Sequence, residues 1–416
     1  MNPIYLDNQS NTKPDERVFE AMKPYFIENY GNPQSIYSLG SVSKDALENA
    51  RKQAADLINA LPAEIIFTSC ATESNNLALK GIANACKNAG IAGRHIIVSA
   101  IEHFSVLNAV KRLEQEGFEV SYIPVDNKGS IKEDELQKLL KNDTILVSIQ
   151  YANPEVGTVQ NIKKLAEIVK KNSKALIHTD AVCACGTLPV DVLDLGVDAL
   201  TFSASVMYGP KGAAALYLKK GIKITPQMDG GVQENSKRAG TENIPAIVGF
   251  GEACRIAKEE IVENSTKMRI LRDKLIAGLS KSIPYIYMNG ADSLKRLPGN
   301  VNFSVEFVEG EALFLSLDSK GIMAASGSAC ANKNLKLSHV LSAMNVDVAV
   351  GQGSILFTLS KYNTEKEIDY VLEEFPKIVQ KLRDMSPLYS HFVKTGERMK
   401  AGPGTDFEHE HEAENT

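Results

Sequence analysis

Between Glu64 and Leu218 short apolar runs alternate with amphipathic stretches, and this alternation restricts the fold more than any other feature of the chain. The apolar runs 65–68, 95–99, 119–123, 144–150, 175–179, 199–202 and 213–218 have the length and β-branched content of buried strands. Between them, segments 74–89, 105–116, 133–141 and 162–172 carry apolar residues at helical spacing. Strands separated by helices line up in parallel, and their uninterrupted apolar character requires cover on both faces. The pattern predicts an α/β fold with a mostly parallel seven-stranded sheet. On such sheets ligands bind at the carboxyl ends of strands, so the chemistry is expected in the loops that follow them.

The rest of the chain is read around that sheet. Ahead of it come an extended arm and two helices, over 15–27 and 43–60; after it, a helical stretch over 245–282 leads to a second set of elements. There, runs 285–288, 301–305 and 355–359 alternate with helices near 311–319, 339–344 and 365–384, which predicts a small α+β domain. The expected domains are a large one over 12–255, a small one over 256–390 joined by 1–11, and a disordered tail over 391–416. That tail is rich in Gly, Glu and His and poor in apolar residues. His409 and His411 could touch a metal, but the run around them has the composition of a solvated acidic segment.

A net charge of −5 gives no electrostatic reason for a nucleic-acid or anionic-membrane partner. No apolar run approaches the roughly 20 residues that span a bilayer, and Met1–Leu6 lacks the basic region of a signal peptide. These features predict a cytoplasmic protein. Of the six cysteines, Cys86 and Cys254 sit in helical patterns as small apolar residues, and there is no C-x-x-C pair.

Several strand-end loops carry groups suited to an anionic ring cofactor. Ala71-Thr72-Glu73-Ser74 opens a helix, where free N–H groups favour a phosphate; it reads equally well as a helix cap. Glu102-His103 and His178-Thr179-Asp180 end two further strands. Phe202-Ser203-Ala204-Ser205-Val206 runs into Gly209-Pro210-Lys211-Gly212, a loop small enough for backbone N–H groups to approach an anion. Arg238-Ala239-Gly240-Thr241 and Ser326-Gly327-Ser328-Ala329-Cys330 complete the set.

Together with Tyr5-Leu6-Asp7-Asn8, Gly31-Asn32-Pro33 and Ser386-Pro387-Leu388, these motifs resemble the NifS/IscS-type cysteine desulfurases of the class V aminotransferase group, over nearly the whole chain to about Tyr389. The resemblance implies the fold of pyridoxal phosphate (PLP)-dependent transferases of fold type I, in a homodimer. It also implies roles for single residues. Thr72, Ser203 and Ser205 would seat the PLP phosphate, with Thr241 reaching in from the neighbouring subunit. His103 would stack on the pyridine ring, and Asp180 would pair with the ring nitrogen. Cys330 would carry sulfur as a persulfide and pass it to an IscU-type scaffold in iron–sulfur cluster assembly, or ligate a nascent cluster.

The chain departs from the family pattern where that pattern is most polar. Val206 stands where the family has its PLP-binding lysine, Ser205 where it has His, Cys183 for Gln, Pro154 for Asn and Leu356 for the Arg that grips the cysteine carboxylate. Valine can neither bond to an aldehyde nor move a proton. The resemblance therefore implies a desulfurase-like protein without classical PLP catalysis, with PLP held noncovalently at most. Two alternatives stay open: an active cysteine desulfurase with noncovalent PLP, and a pocket repurposed for a metal or cluster on Cys183 and Cys185.

Overall fold

A computed structural model describes residues 3–326 and 337–398 of the chain. In chain order its strands are β1 (Ile4–Tyr5), β2 (Ile65–Thr68), β3 (His95–Ser99), β4 (Glu119–Ile123), β5 (Thr144–Ser148), β6 (Leu176–Asp180), β7 (Ala199–Ser203), β8 (Ala214–Leu218), β9 (Ile286–Met288), β10 (Asn300–Val305), β11 (Ile322–Met323) and β12 (Ser354–Thr358). The seven from β2 to β8 form one sheet in the order β2-β8-β7-β6-β5-β3-β4. Neighbours from β7 to β4 are parallel, because helices such as Phe104–Gln115 and Ile162–Asn172 carry the chain back between them. Strand β8 is antiparallel to both β7 and β2, with Ser203 opposite Ala214. The short connection from Ser203 to Ala214 leaves no room for a crossover, so the chain must double back.

Both faces of this sheet are covered, as uniformly apolar strands require. One face packs Leu47, Ala54, Val147, Ile177, Phe202 and Phe250 into a core. The other packs Leu77, Ile82, Val98, Val110 and Leu216. A further core gathers β10 and β12 with the helix Glu365–Asp384, and Ile4 and Leu6 of the N-terminal arm join it. Helix Ile244–Ser282 serves two cores: Ile247 and Phe250 enter the first, Leu271, Leu275 and Leu279 the last.

Several boundaries differ from the sequence reading. The second N-terminal helix begins at Ser38 rather than Ser43, and the helix after β2 at Ala71 rather than Ser74; neither N-cap, Tyr37 nor Cys70, makes a side-chain capping bond that would mark the start. The expected tail also starts too early. Pro387–Thr395 is a helix capped by Ser386, and Arg398 pairs with Glu306 at 2.6 Å. Residues 399–416, with His409 and His411, lie outside the described residues.

Candidate functional site

The loop after β7 is fixed by close packing. Ala204–Val206 make one 3-10 turn, and Gly209 lies so near it that an added Cβ would meet the Ala204 Cβ at 2.8 Å and that of Ala253 at 3.1 Å. The N-terminal arm clamps the same turn: Thr12 donates its N–H to the Ser205 carbonyl at 2.9 Å, and its Oγ1 accepts the Tyr208 N–H at 2.8 Å. The Ser203 and Ser205 hydroxyls stand 3.2 Å apart. Thr72 is exposed in the first turn of helix Ala71–Asn88.

At the next strand end Asp180 is almost wholly buried. Its Oδ1 accepts the Val182 N–H at 3.0 Å and its Oδ2 the Asn75 amide at 2.7 Å. The same Asn75 nitrogen reaches Ser105 Oγ at 2.8 Å, and Ser105 Oγ meets His103 Nδ1 at 2.8 Å. His103 and Asp180, read from separate motifs, are thus ends of one hydrogen-bonded chain.

Val206 lines a cavity of about 40 Å³ shared with Gln9, Thr12, Cys183, Tyr208 and Asn300, and none of its lining residues is charged. Gln9 Nε2 donates to Cys183 Sγ at 2.9 Å. Burial pushes the Cys183 thiol well up, with Asp180 adding to it, and Cys185, sunk in the core, is raised for the same reasons. Thiolate ligation needs the opposite shift. Among the described residues no group of three His, Cys, Asp or Glu side chains could hold a metal. Leu356 is buried in β12; its backbone exchanges two hydrogen bonds with Ala325, at 2.9 and 3.0 Å.

Two buried carboxyls have no role assigned by the motifs. Glu155 accepts the Ser338 hydroxyl at 2.6 Å, and burial pushes its carboxyl up to about 7 against that bond. Glu102 accepts the Gln150 N–H at 2.6 Å and is raised well above the ordinary range by burial. His339 Nε2 lies 3.0 Å from the Glu102 carbonyl oxygen. Neither glutamate stands out by spacing alone; only the fold shows the Glu155 carboxyl meeting Ser338 and the Glu102 backbone carbonyl meeting His339.

Thr241 is exposed and is not joined to the Asp180 group. Its loop is anchored by Arg238, 2.7 Å from Glu73, and by a buried pair, Arg51 with Glu234 at 2.7 Å. Cys330 lies outside the described residues, as does the rest of segment 327–336.

Comparison with known proteins places the chain in a family. Residues 4–371 match the model of the aminotransferase class-V family. The chain is 50% identical over 385 residues to the cysteine desulfurase IscS of Methanosarcina thermophila, covering 92% of this chain and 94% of that protein. It is 46% identical to cysteine desulfurase IscS 1 of Archaeoglobus fulgidus, over 92% and 99% of the two chains. A solved structure described as a NifS-like protein superposes with a TM-score of 0.85 at 40% identity, covering 91% of this chain and all of that one. The chain belongs to the class-V aminotransferase family, in its NifS/IscS cysteine desulfurase branch.

Proposed function

We propose that this protein handles sulfur in iron–sulfur cluster assembly without forming a covalent bond to PLP. Cys330 then serves as sulfur acceptor or cluster ligand, and an IscU-type scaffold as its partner. The observation that carries the reading is the group at position 206. A valine lines the cavity beside Cys183, and no lysine or arginine lines that cavity. Leu356, buried in β12 where the family pattern has an arginine, gives no charge-assisted partner to the carboxylate of a cysteine substrate.

The family is PLP-dependent, and the residues present fit that cofactor in part. The Ser203–Ser205 hydroxyl pair and the helix start at Ala71 suit a phosphate, and the buried Asp180 suits a pyridinium nitrogen. Thr72, Ser203 and Ser205 would hold the phosphate, with Thr241 of a second copy in a homodimer, and His103 would cover the ring. When bound, PLP supplies an electron sink to an amino-acid substrate. The fit stops at the covalent anchor, because Val206 has no amine.

Protein purified with excess PLP should lose the cofactor on dialysis, and borohydride should fix no pyridoxyl group to any lysine. L-Cysteine should yield no alanine. A Cys330→Ser variant should fold normally and lose sulfur transfer from a persulfide donor to a scaffold. A visible band that survives dialysis, together with alanine release, would instead establish the second reading, an active cysteine desulfurase. The extent of the match favours that reading: relatives named cysteine desulfurase align over more than nine-tenths of this chain.

A further inference from the structure

The buried amide of Asn75 lies in the first turns of helix Ala71–Asn88 and is inaccessible to solvent. Both of its hydrogen-bond partners lie on the Nδ2 side: Asp180 Oδ2 at 2.7 Å and Ser105 Oγ at 2.8 Å. Its Oδ1 is buried with no partner among the described residues. An amide held only for packing satisfies its acceptor as well as its donors. This one leaves its acceptor unpaired in order to aim both N–H bonds.

Those two bonds fix the direction of the hydroxyl bond that follows them. A carboxylate only accepts, so the Nδ2 face must point at Asp180. The second amide hydrogen then goes to Ser105 Oγ, which must accept it and is left to donate its own hydrogen to His103 Nδ1, 2.8 Å away. The Ser105 backbone N–H points at the same Nδ1 at 3.1 Å. With two donors aimed at it, Nδ1 carries no hydrogen in the neutral ring, and the hydrogen sits on Nε2.

We propose that Asn75 is a positioning residue that couples the Asp180 carboxylate, through the Ser105 hydroxyl, to the hydrogen bonding and orientation of the His103 ring. The pyridine-nitrogen partner and the ring-covering imidazole are thereby set as one unit. The coupling itself is a property of the cofactor-free chain. Its use for PLP rests on the reading of the pocket given above.

The test separates the two. In protein labelled with ¹⁵N-histidine and free of PLP, the His103 ring is observed about two pH units above the ordinary imidazole value. The expected spectrum shows Nε2 protonated and Nδ1 as a hydrogen-bonded acceptor. Asn75→Leu frees the Ser105 hydroxyl to turn away, so it should shift the Nδ1 resonance toward that of an acceptor held by the Ser105 backbone N–H alone, with the tautomer unchanged. It should also weaken PLP binding, followed by PLP fluorescence, about 10- to 100-fold through the lost charge-assisted bond. Ser105→Ala touches only the His103 end, so it should move the same resonance and change PLP affinity by less than about threefold. Circular dichroism checks that both variants are folded, and Asn75→Ala, which removes the same two bonds with a smaller side chain, replaces Asn75→Leu if the latter is not. An unchanged His103 spectrum in the folded variants, or equal loss of PLP affinity in both, overturns the proposal. Failure of the unaltered protein to bind PLP removes the cofactor reading and leaves the coupling to stand or fall by the spectrum.

Discussion

Glu155 shows how much one side chain can carry. It is buried, one oxygen accepts the Ser338 hydroxyl and the other has no partner among the described residues. Burial lifts its carboxyl from 4.5 to about 7, so the folded protein holds this proton more tightly than the unfolded chain does. The stability it contributes is fully present below about pH 4.5 and is lost as pH rises through about 7. The buried His178, lowered to about 3 by burial, acts in the opposite sense between about 3 and 6.5, so the raw pH profile of the protein mixes the two. The difference between wild type and Glu155→Gln isolates the glutamate. Measured by urea unfolding, that difference should move by about 3 kcal/mol in favour of the variant between pH 4.5 and 8. A flat difference would mean that the carboxyl is hydrated and ionised. At this scale the sequence revealed residues placed by local motif, such as Asp180 and Ser203 at strand ends. It could not reveal Asn75: its chemistry depends on Ser105 and Asp180, 30 and 105 positions away. The one available signal was a polar residue close to Leu77, Ala78 and Leu79 in a helical run, whose neighbours Ser74 and Leu77 the structure buries.

Among the elements, strands were more legible than helices. β2, β3 and β4 fall where the apolar runs placed them, because β-branched residues and flanking turns mark both ends. Helix starts at Ser38 and Ala71 were hidden by N-caps without a side-chain bond. The loop before helix Ile244–Ser282 was legible only over residues 238–241. Its conformation is strained: Glu234, Asn235 and Ser236 all have positive φ, at 48°, 55° and 61°. What holds it is the Glu234 carboxylate, which accepts Arg51 at 2.7 and 2.8 Å and the Phe67 N–H at 2.9 Å. Glu234→Ala would leave the Arg51 guanidinium, almost fully buried, without its main partner. The expected loss is about 3 kcal/mol of unfolding free energy. PLP binding should weaken as well, because the loop also presents Thr241. A stability change under about 1 kcal/mol would show that Arg51 finds water instead.

For the molecule as a whole, the two kinds of core explain why a strand-to-helix pattern predicted the architecture: each apolar run needs cover, and the long helix supplies it to both. What the pattern left unassigned is the surface. Phe26, Ile27, Tyr30, Ile36 and Tyr37 are all more than half exposed within a dozen residues, and Ile36 lines one groove with Val232 of the Thr241 loop. Exposed apolar side chains so close in the chain are a surface that an interface could cover. The proposed homodimer would bury them and carry each Thr241 toward the other copy's phosphate seat. Ile27→Asp with Ile36→Asp places two charges in that interface, so sedimentation should report the mass of one chain where the parent protein gives twice that mass. The separated chain also lacks the partner's threonine, and its PLP affinity should fall about 10-fold, the effect of one hydrogen bond to a charged group. Thr241→Ala in the intact dimer should produce the same fall with no change in mass. If the charged variant still sediments as a dimer, the apolar surface faces some other partner; if it separates and binds PLP undiminished, each phosphate seat is complete within its own chain.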